Sequence, residues 1–350
     1  MADPRPAAPR PRWLGPSAGV RVGATDFFAA QRANRRRTLV LLVVLTLIAA
    51  GLGYLLGWFM EADGRLPSRP GNGAFSIGGV LTALAIGAVS IGWSAISLAW
   101  GGRMVLAMTG GHEVAKADEP QLVNVVEEMA IAAGQKMPRV FVIEDAAMNA
   151  FATGTTSGNA AIGVTRGLLN GLNREELQGV IGHEMGHIAN LDTRYMTVVG
   201  VTVGLVALVS DMILRVMKWG PGRSSSRDRG GSGSGGAGGG GLALILMVVL
   251  VVAAVVAPLA AKLVQFAVSR QREYLADATA VQFTRNAAGL ISALQKLTAA
   301  AQPFAGASRA TQHLFIVNPL RQFGSKASAL MATHPATEDR IARLQALGRL

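Results

Sequence analysis

The residues best placed to do chemistry are His183-Glu184-Met185-Gly186-His187. On a helix, residues four apart lie about 40° apart around the axis and one turn above each other. Both imidazoles can then reach one metal ion. Glu184 sits about 100° round, too far to join as a third ligand from the same face. From that edge it can take a proton from a water that the ion has acidified. This is the arrangement of zinc-dependent hydrolysis. The chain has five histidines, and two of them fall in this one motif.

The motif needs a helix, and the flanking residues supply one. Asn173 reads as an N-cap with Glu176 at the third helical position, a capping-box pattern. Leu177, Val180, Ile181, Ile188 and Leu191 recur at helical spacing and form one apolar face. Gly179, Gly182 and Gly186 form a second face beside the histidines. Each glycine costs a helix roughly 1 kcal/mol against alanine, so three on one side imply that another backbone packs closely there.

Two imidazoles leave the metal short of a third protein ligand. Glu273 and Asp277 are four apart and share a helical face. One can ligate the ion. The other can accept a hydrogen bond from a ligating histidine and fix its tautomer. The alternative is an ordinary solvated acidic face.

Composition places this chemistry beside a membrane. Half the residues are hydrophobic and the mean hydropathy is +0.36, more apolar than a soluble chain of 350 residues. Residues 38–59 form an apolar run of about 33 Å as helix, enough to cross a bilayer. Residues 75–100 form a second, richer in Gly, Ala and Ser. The stretches 196–217 and 242–268 are less clear, the first containing Asp211 and Arg215 and the second Pro258. They predict a membrane hairpin, either crossing or entering part way. Between them, 219–241 is a Gly/Ser-rich flexible insert carrying Arg223, Arg227 and Arg229.

Arg32, Arg35, Arg36 and Arg37 crowd the start of the first run, which reads as an uncleaved signal anchor. The positive-inside rule puts this end in the cytoplasm, the loop 61–74 outside, and the catalytic helix back in the cytoplasm. Absence of cysteine fits a reducing compartment. The net charge of +12 is accounted for by anionic lipid and topology, and no nucleic-acid-binding motif is present. Gly53 and Gly57 make a GxxxG in the first span, a pairing motif that would suit a homo-oligomer.

With these residues in view, the chain resembles the HtpX-type membrane zinc peptidases, the bacterial branch of the M48 family. The likeness rests on His183-Glu184-x-x-His187 with Asn190 and Asp192, and on Arg272-Glu273-Tyr274-x-Ala276-Asp277. Asn149-Ala150-Phe151-Ala152-Thr153-Gly154, Leu314-Phe315-Ile316-Val317-Asn318-Pro319 and Thr333-His334-Pro335 with Arg340 add to it. It runs from about residue 35 to the end and departs in the basic N-terminus and the Gly/Ser insert.

The resemblance implies an α+β membrane protein, mainly helical, with two to four transmembrane helices and a zincin-like domain holding a small sheet. The expected order is a basic tail over 1–37, two spans over 38–100, and a catalytic domain split between 101–195 and 269–350 around the membrane hairpin 196–268. Locally, Leu122, Val125, Val126 and Met129 predict a helix over 121–133, and 140–143 a strand. Residues 150–153 and 160–164 predict a hairpin.

By resemblance, His183, His187 and Glu273 hold one Zn²⁺ per subunit, Asp277 supports them, and Glu184 is the general base. His334 and Arg340 steady the oxyanion, and substrate lies as an extended strand near Asn149 and Phe151. The implied role is stress-response quality control in the bacterial inner membrane, hydrolysing misfolded or damaged membrane proteins. The competing reading is a non-catalytic membrane scaffold or chaperone with a structural zinc. Such an ion would be closed by four protein ligands, and the sequence shows no cysteine and no evident fourth ligand. An intramembrane protease is disfavoured because polar residues flank the motif, and a prenyl-protein endoprotease because that branch needs more than four spans. His112 and His313 read as surface histidines.

Overall fold

The computed structural model describes residues 24–62, 76–202, 270–300, 315–316 and 335–347. The first part of the tail, the insert 219–241, the expected hairpin beyond residue 202, His313 and His334 lie outside the described residues.

Two long helices, α1 (Ala24–Ala62) and α2 (Ile77–Thr109), contain the two apolar runs. With 39 and 33 residues they are about 58 and 50 Å long, well beyond the roughly 30 Å hydrocarbon core. Both therefore extend past the bilayer. Their large apolar side chains point outward, Leu47 being 66% and Val89 72% exposed, as a lipid-facing surface requires. They pair through small residues. A side chain at Gly53 would come within 2.9 Å of the Thr82 carbonyl oxygen, and Gly57 lies against the Gly78 carbonyl and Thr82 Oγ1. Thr82 Oγ1 donates to the Gly53 carbonyl at 2.7 Å. The GxxxG face is thus used within one chain. Gly78, Thr82 and Ala83 on α2 give the motif a close-fitting partner in the same chain, so its use does not require a second copy.

The part outside the apolar runs is built on a four-stranded sheet of order β1-β2-β4-β3, from β1 (His112–Glu113), β2 (Arg139–Ile143), β3 (Ala150–Thr153) and β4 (Ala161–Thr165). β2 and β4 run parallel, and β3 pairs antiparallel with β4. Helix α3 (Pro120–Ala132) bridges β1 and β2 and starts with proline at its first position, where the missing N–H costs nothing. The β3–β4 turn passes through Gly154 at φ +117°, where a side chain would meet the Ala160 Cα at 2.7 Å.

Alternate side chains of a strand point to opposite faces, and here both faces are covered. Val140 and Val142 join Ala150, Ala152, Ile162 and Val164 under α3 and α5. Phe141, Ile143 and Phe151 face the other way, onto Val105 and Leu106 of α2. The end of α2 therefore forms the layer on the second face of this sheet. Gly102 allows this: a side chain there would sit 3.2 Å from the Gly154 Cα.

The remaining elements are α4 (Arg166–Gly171), α5 (Arg174–Ala189), a helical segment α6 over 192–202, α7 (Arg270–Thr284), α8 (Ala287–Ala299) and α9 (Thr337–Leu347).

Candidate metal centre

Helix α5 carries the metal motif and is fixed at its start by a complete capping box. Asn173 Oδ1 accepts from the Glu176 N–H at 2.9 Å, and Glu176 Oε2 accepts from the Asn173 N–H at 2.8 Å. The glycine face presses against two neighbours. A side chain at Gly179 would come within 2.7 Å of the Leu290 nitrogen on α8. At Gly182 and Gly186 it would lie 3.4 and 3.3 Å from the Ala280 and Ala276 Cα atoms on α7. That close approach brings Glu273 of α7 to the histidines.

His183 Nε2 and His187 Nε2 are 3.2 Å apart, and Glu273 stands 3.8 Å from the first and 3.6 Å from the second. All three residues are buried. Donor atoms around tetrahedral zinc, each at about 2.0–2.1 Å from the ion, are separated by about 3.3 Å. The three donors thus have the spacing and chemical type that such an ion takes. Among the described residues no fourth His, Asp or Glu joins this group.

Each imidazole is held from behind through Nδ1. His183 Nδ1 donates to Asp277 Oδ1 at 2.9 Å. Arg340 clamps the same carboxylate, Nε to Oδ2 at 2.9 Å and Nη2 to Oδ1 at 2.6 Å. The 3.3 Å between Arg340 Nη2 and His183 Nδ1 is then the gap between two donors sharing one acceptor. His187 Nδ1 donates to Asp192 Oδ2 at 3.0 Å. Asp192 reaches back because Leu191 takes a left-handed conformation, φ 58°, straight after the α5 C-cap. A branched residue there is strained by roughly 1 kcal/mol or more, and such strain collects at functional sites.

Charge in the site follows from these contacts. Burial raises the Glu184 carboxyl to about 7, helped by Glu273 and opposed by His187 and the Ala152 N–H, which donates to it. Burial also works against charging Asp277, but the Arg340 guanidinium and the His183 bond win and hold it down to about 2. His183 is pushed down by burial and by the Arg340 charge. For His187 burial is outweighed by the Asp192 bond and the Glu273 and Glu184 charges, raising it to about 9.

The other expected site residues stand as follows. Arg340 is buried at the centre, but its donors are turned to Asp277 and, at 3.4 Å, to the Ile316 carbonyl. Asn149 and Phe151, expected to face substrate, are both buried. Strand alternation turns Phe151 into the cluster with α2, where its ring meets Phe315 edge-on at 5.1 Å. The β3 edge beside it pairs with the chain's own residues: Phe151 bridges Phe315, and the Ile316 N–H donates to the Ala150 carbonyl at 3.0 Å. His112 is exposed on β1. Asp192, quoted in the sequence only as part of a resemblance, is the support that residue-by-residue reasoning missed. It lies five residues after His187, beyond the helix, so no helical spacing links them.

The profile of peptidase family M48, described as "Peptidase family M48", matches residues 116–347. The "Protease HtpX homolog" of Thermoanaerobacter pseudethanolicus is 40% identical over 320 residues, covering 91% of this chain and 97% of that protein. Its namesake in Tropheryma whipplei is 38% identical over 316 residues, covering 90% and 96%. That in Lactobacillus helveticus is 39% identical over 317 residues, covering 89% and 97%. With a His–His–Glu cluster able to hold a metal ion, two helices long and apolar enough to cross a membrane, and these relatives, this chain belongs to peptidase family M48, as a membrane metalloprotease of the HtpX type.

Proposed function

We propose that this protein is a zinc endopeptidase of the bacterial cytoplasmic membrane that clears unfolded or damaged membrane proteins. The observation that carries the reading is the convergence of His183, His187 and Glu273 beside the buried Glu184, in a domain packed on the ends of two membrane helices. Two imidazoles and one carboxylate suit zinc better than a hard cation such as magnesium. Zinc held there supplies a Lewis acid that polarises a carbonyl and acidifies water.

Glu184 accepts the proton of the attacking water and returns it to the leaving amine. Its elevated pKa suits both steps near neutrality. Asp277 and Asp192 keep the two Nε2 lone pairs aimed at one point. Arg340 keeps Asp277 charged and aligned. The oxyanion role of His334 and Arg340 is carried over from the family resemblance.

Substrate lies extended beside β3. Phe315 and Ile316 take the Ala150–Phe151 end of that edge, so a peptide pairs at the Ala152 end or displaces them. Pairing by main chain requires an unfolded segment, because a folded segment's main chain is already bonded. The arginines before the first apolar run support a cytoplasmic active site. A structural-zinc scaffold gives no task to a buried glutamate placed beside an incomplete ligand set.

The test compares cleavage of one membrane protein in its folded and destabilised forms, and of casein beside a folded globular protein. Faster cleavage of the unfolded members is expected. Equal rates would overturn the quality-control reading.

A further inference from the structure

The start of α1 lies ahead of its apolar run and meets the end of α5. Asn34 sits among Arg32, Arg35, Arg36 and Arg37, yet it is only 2% exposed. Its Nδ2 donates to Asp192 Oδ1 at 2.6 Å and to the Asn190 carbonyl at 3.0 Å. Its Oδ1 accepts from Arg37 Nη1 at 3.4 Å. Two acceptors on one side and a donor on the other fix which way round the amide lies. One turn earlier, Gln31 Nε2 donates to the Ala189 carbonyl at 2.8 Å. Ala189 and Asn190 close α5, where the last carbonyls of a helix lack partners of their own. Side chains of the membrane helix supply them.

We propose that Asn34, with Gln31 beside it, is a positioning residue of the metal centre, acting on His187 through Asp192. The proposal rests on the metallopeptidase reading above. One oxygen of Asp192 accepts from His187 Nδ1 and the other from Asn34, so the amide sets the rotation of the carboxylate that orients the imidazole. Arg272 Nε stands 3.7 Å from the same oxygen, beyond hydrogen-bond range, so Asn34 makes the short contact there. The amide fixes the rotation of this carboxylate while the Arg272 charge faces it at longer range, whereas the guanidinium on Asp277 binds both of its oxygens. The membrane helix is thereby part of the metal site as well as an anchor.

The test uses full-length protein in detergent and measures zinc affinity by chelator competition, with the visible spectrum of the cobalt(II)-substituted protein as a second readout. Asn34→Ala should weaken zinc binding about tenfold, the lower end of what outer-shell changes cost. Asn34→Asp should weaken it more, by placing a second carboxylate against Asp192, and Asn34→Gln should recover part of the loss. The cobalt spectrum should shift in Asn34→Ala. In an Asp192→Asn background, Asn34→Ala should add less than about twofold, since residues acting through one another are not additive. Leu47→Ala, on the lipid-facing side of the same helix, should leave affinity unchanged. If Asn34→Asp fails to fold, the Asn34→Ala cycle and Asn34→Gln decide. Wild-type affinity in Asn34→Ala, or an equal loss in both backgrounds, would overturn the proposal. Wild-type protein that takes up no zinc would overturn the metallopeptidase reading and this proposal with it.

Discussion

His183 and His187 present the same atom to the same point and are supported from behind in opposite ways. Behind His183 stands Asp277, gripped by both arms of Arg340, so the imidazole faces a carboxylate whose charge is already matched. Behind His187 stands Asp192, with Glu273 and Glu184 nearby and a guanidinium, that of Arg272, only at 3.7 Å rather than in a two-point grip. Burial disfavours the imidazolium at both. At His183 the Arg340 charge adds to burial, whereas at His187 the carboxylates overcome it and hold the group at about 9. Without an ion, these surroundings favour an extra proton on His187 over one on His183. The His187 Nε2–H then faces the His183 Nε2 lone pair at 3.2 Å, one donor to one acceptor. Counter-charge, rather than position in the motif, decides which histidine must release a proton when a dication arrives.

The largest break in this comparison comes from removing the arm that both histidines share. Glu273→Ala should lower zinc affinity by more than the ten- to hundredfold typical of outer-shell changes. Metal analysis after dialysis would show it, and wild-type zinc content would point to a different third ligand.

A finer break separates the two supports. Asp277→Asn and Asp192→Asn should each cost about ten- to hundredfold in affinity. Their stabilities should differ. Asp277→Asn leaves the buried Arg340 without its closest counter-charge, a loss of roughly 3–5 kcal/mol, while Asp192→Asn removes only the longer 3.7 Å pairing to Arg272 and should cost less. Thermal melts of the metal-free variants would compare them, and equal melting temperatures would mean that Glu273, 3.7 Å from Arg340 Nη1, balances the guanidinium alone.

The effect that is smallest per step, though it accumulates over several units, is a dependence on pH. With His187 raised to about 9, zinc must displace its proton at any lower pH. Apparent zinc affinity should therefore climb by up to about tenfold per pH unit through neutrality and level off above about 9. A flat profile between pH 6 and 8 would remove the proton from His187.

Local signals carried the parts of this site that the sequence made legible. Asn173 and Glu176 announced the cap of α5, and the glycine face announced a close neighbour, because both depend on residues a turn or less apart. The β3–β4 hairpin was legible for the same reason. Asp192 was not, because its placement depends on a left-handed Leu191 that no periodicity reveals. Phe151 looked available because alternation along a strand cannot say that α2 covers the second face of the sheet. The partner of Gly53 and Gly57 was invisible because a small-residue stripe does not say whether its match lies in the same chain. Asn34 stands 158 residues from Asp192, with no local pattern joining them.

The central claim is that Glu184 does the proton transfer at a metal held by other residues. Glu184→Gln beside wild type, purified in detergent and assayed for both zinc content and proteolysis, tests it most directly. The glutamine keeps size and shape but cannot take up a proton, so zinc should stay at the wild-type level while proteolysis falls at least about a hundredfold. Wild-type cleavage with normal zinc would contradict the account.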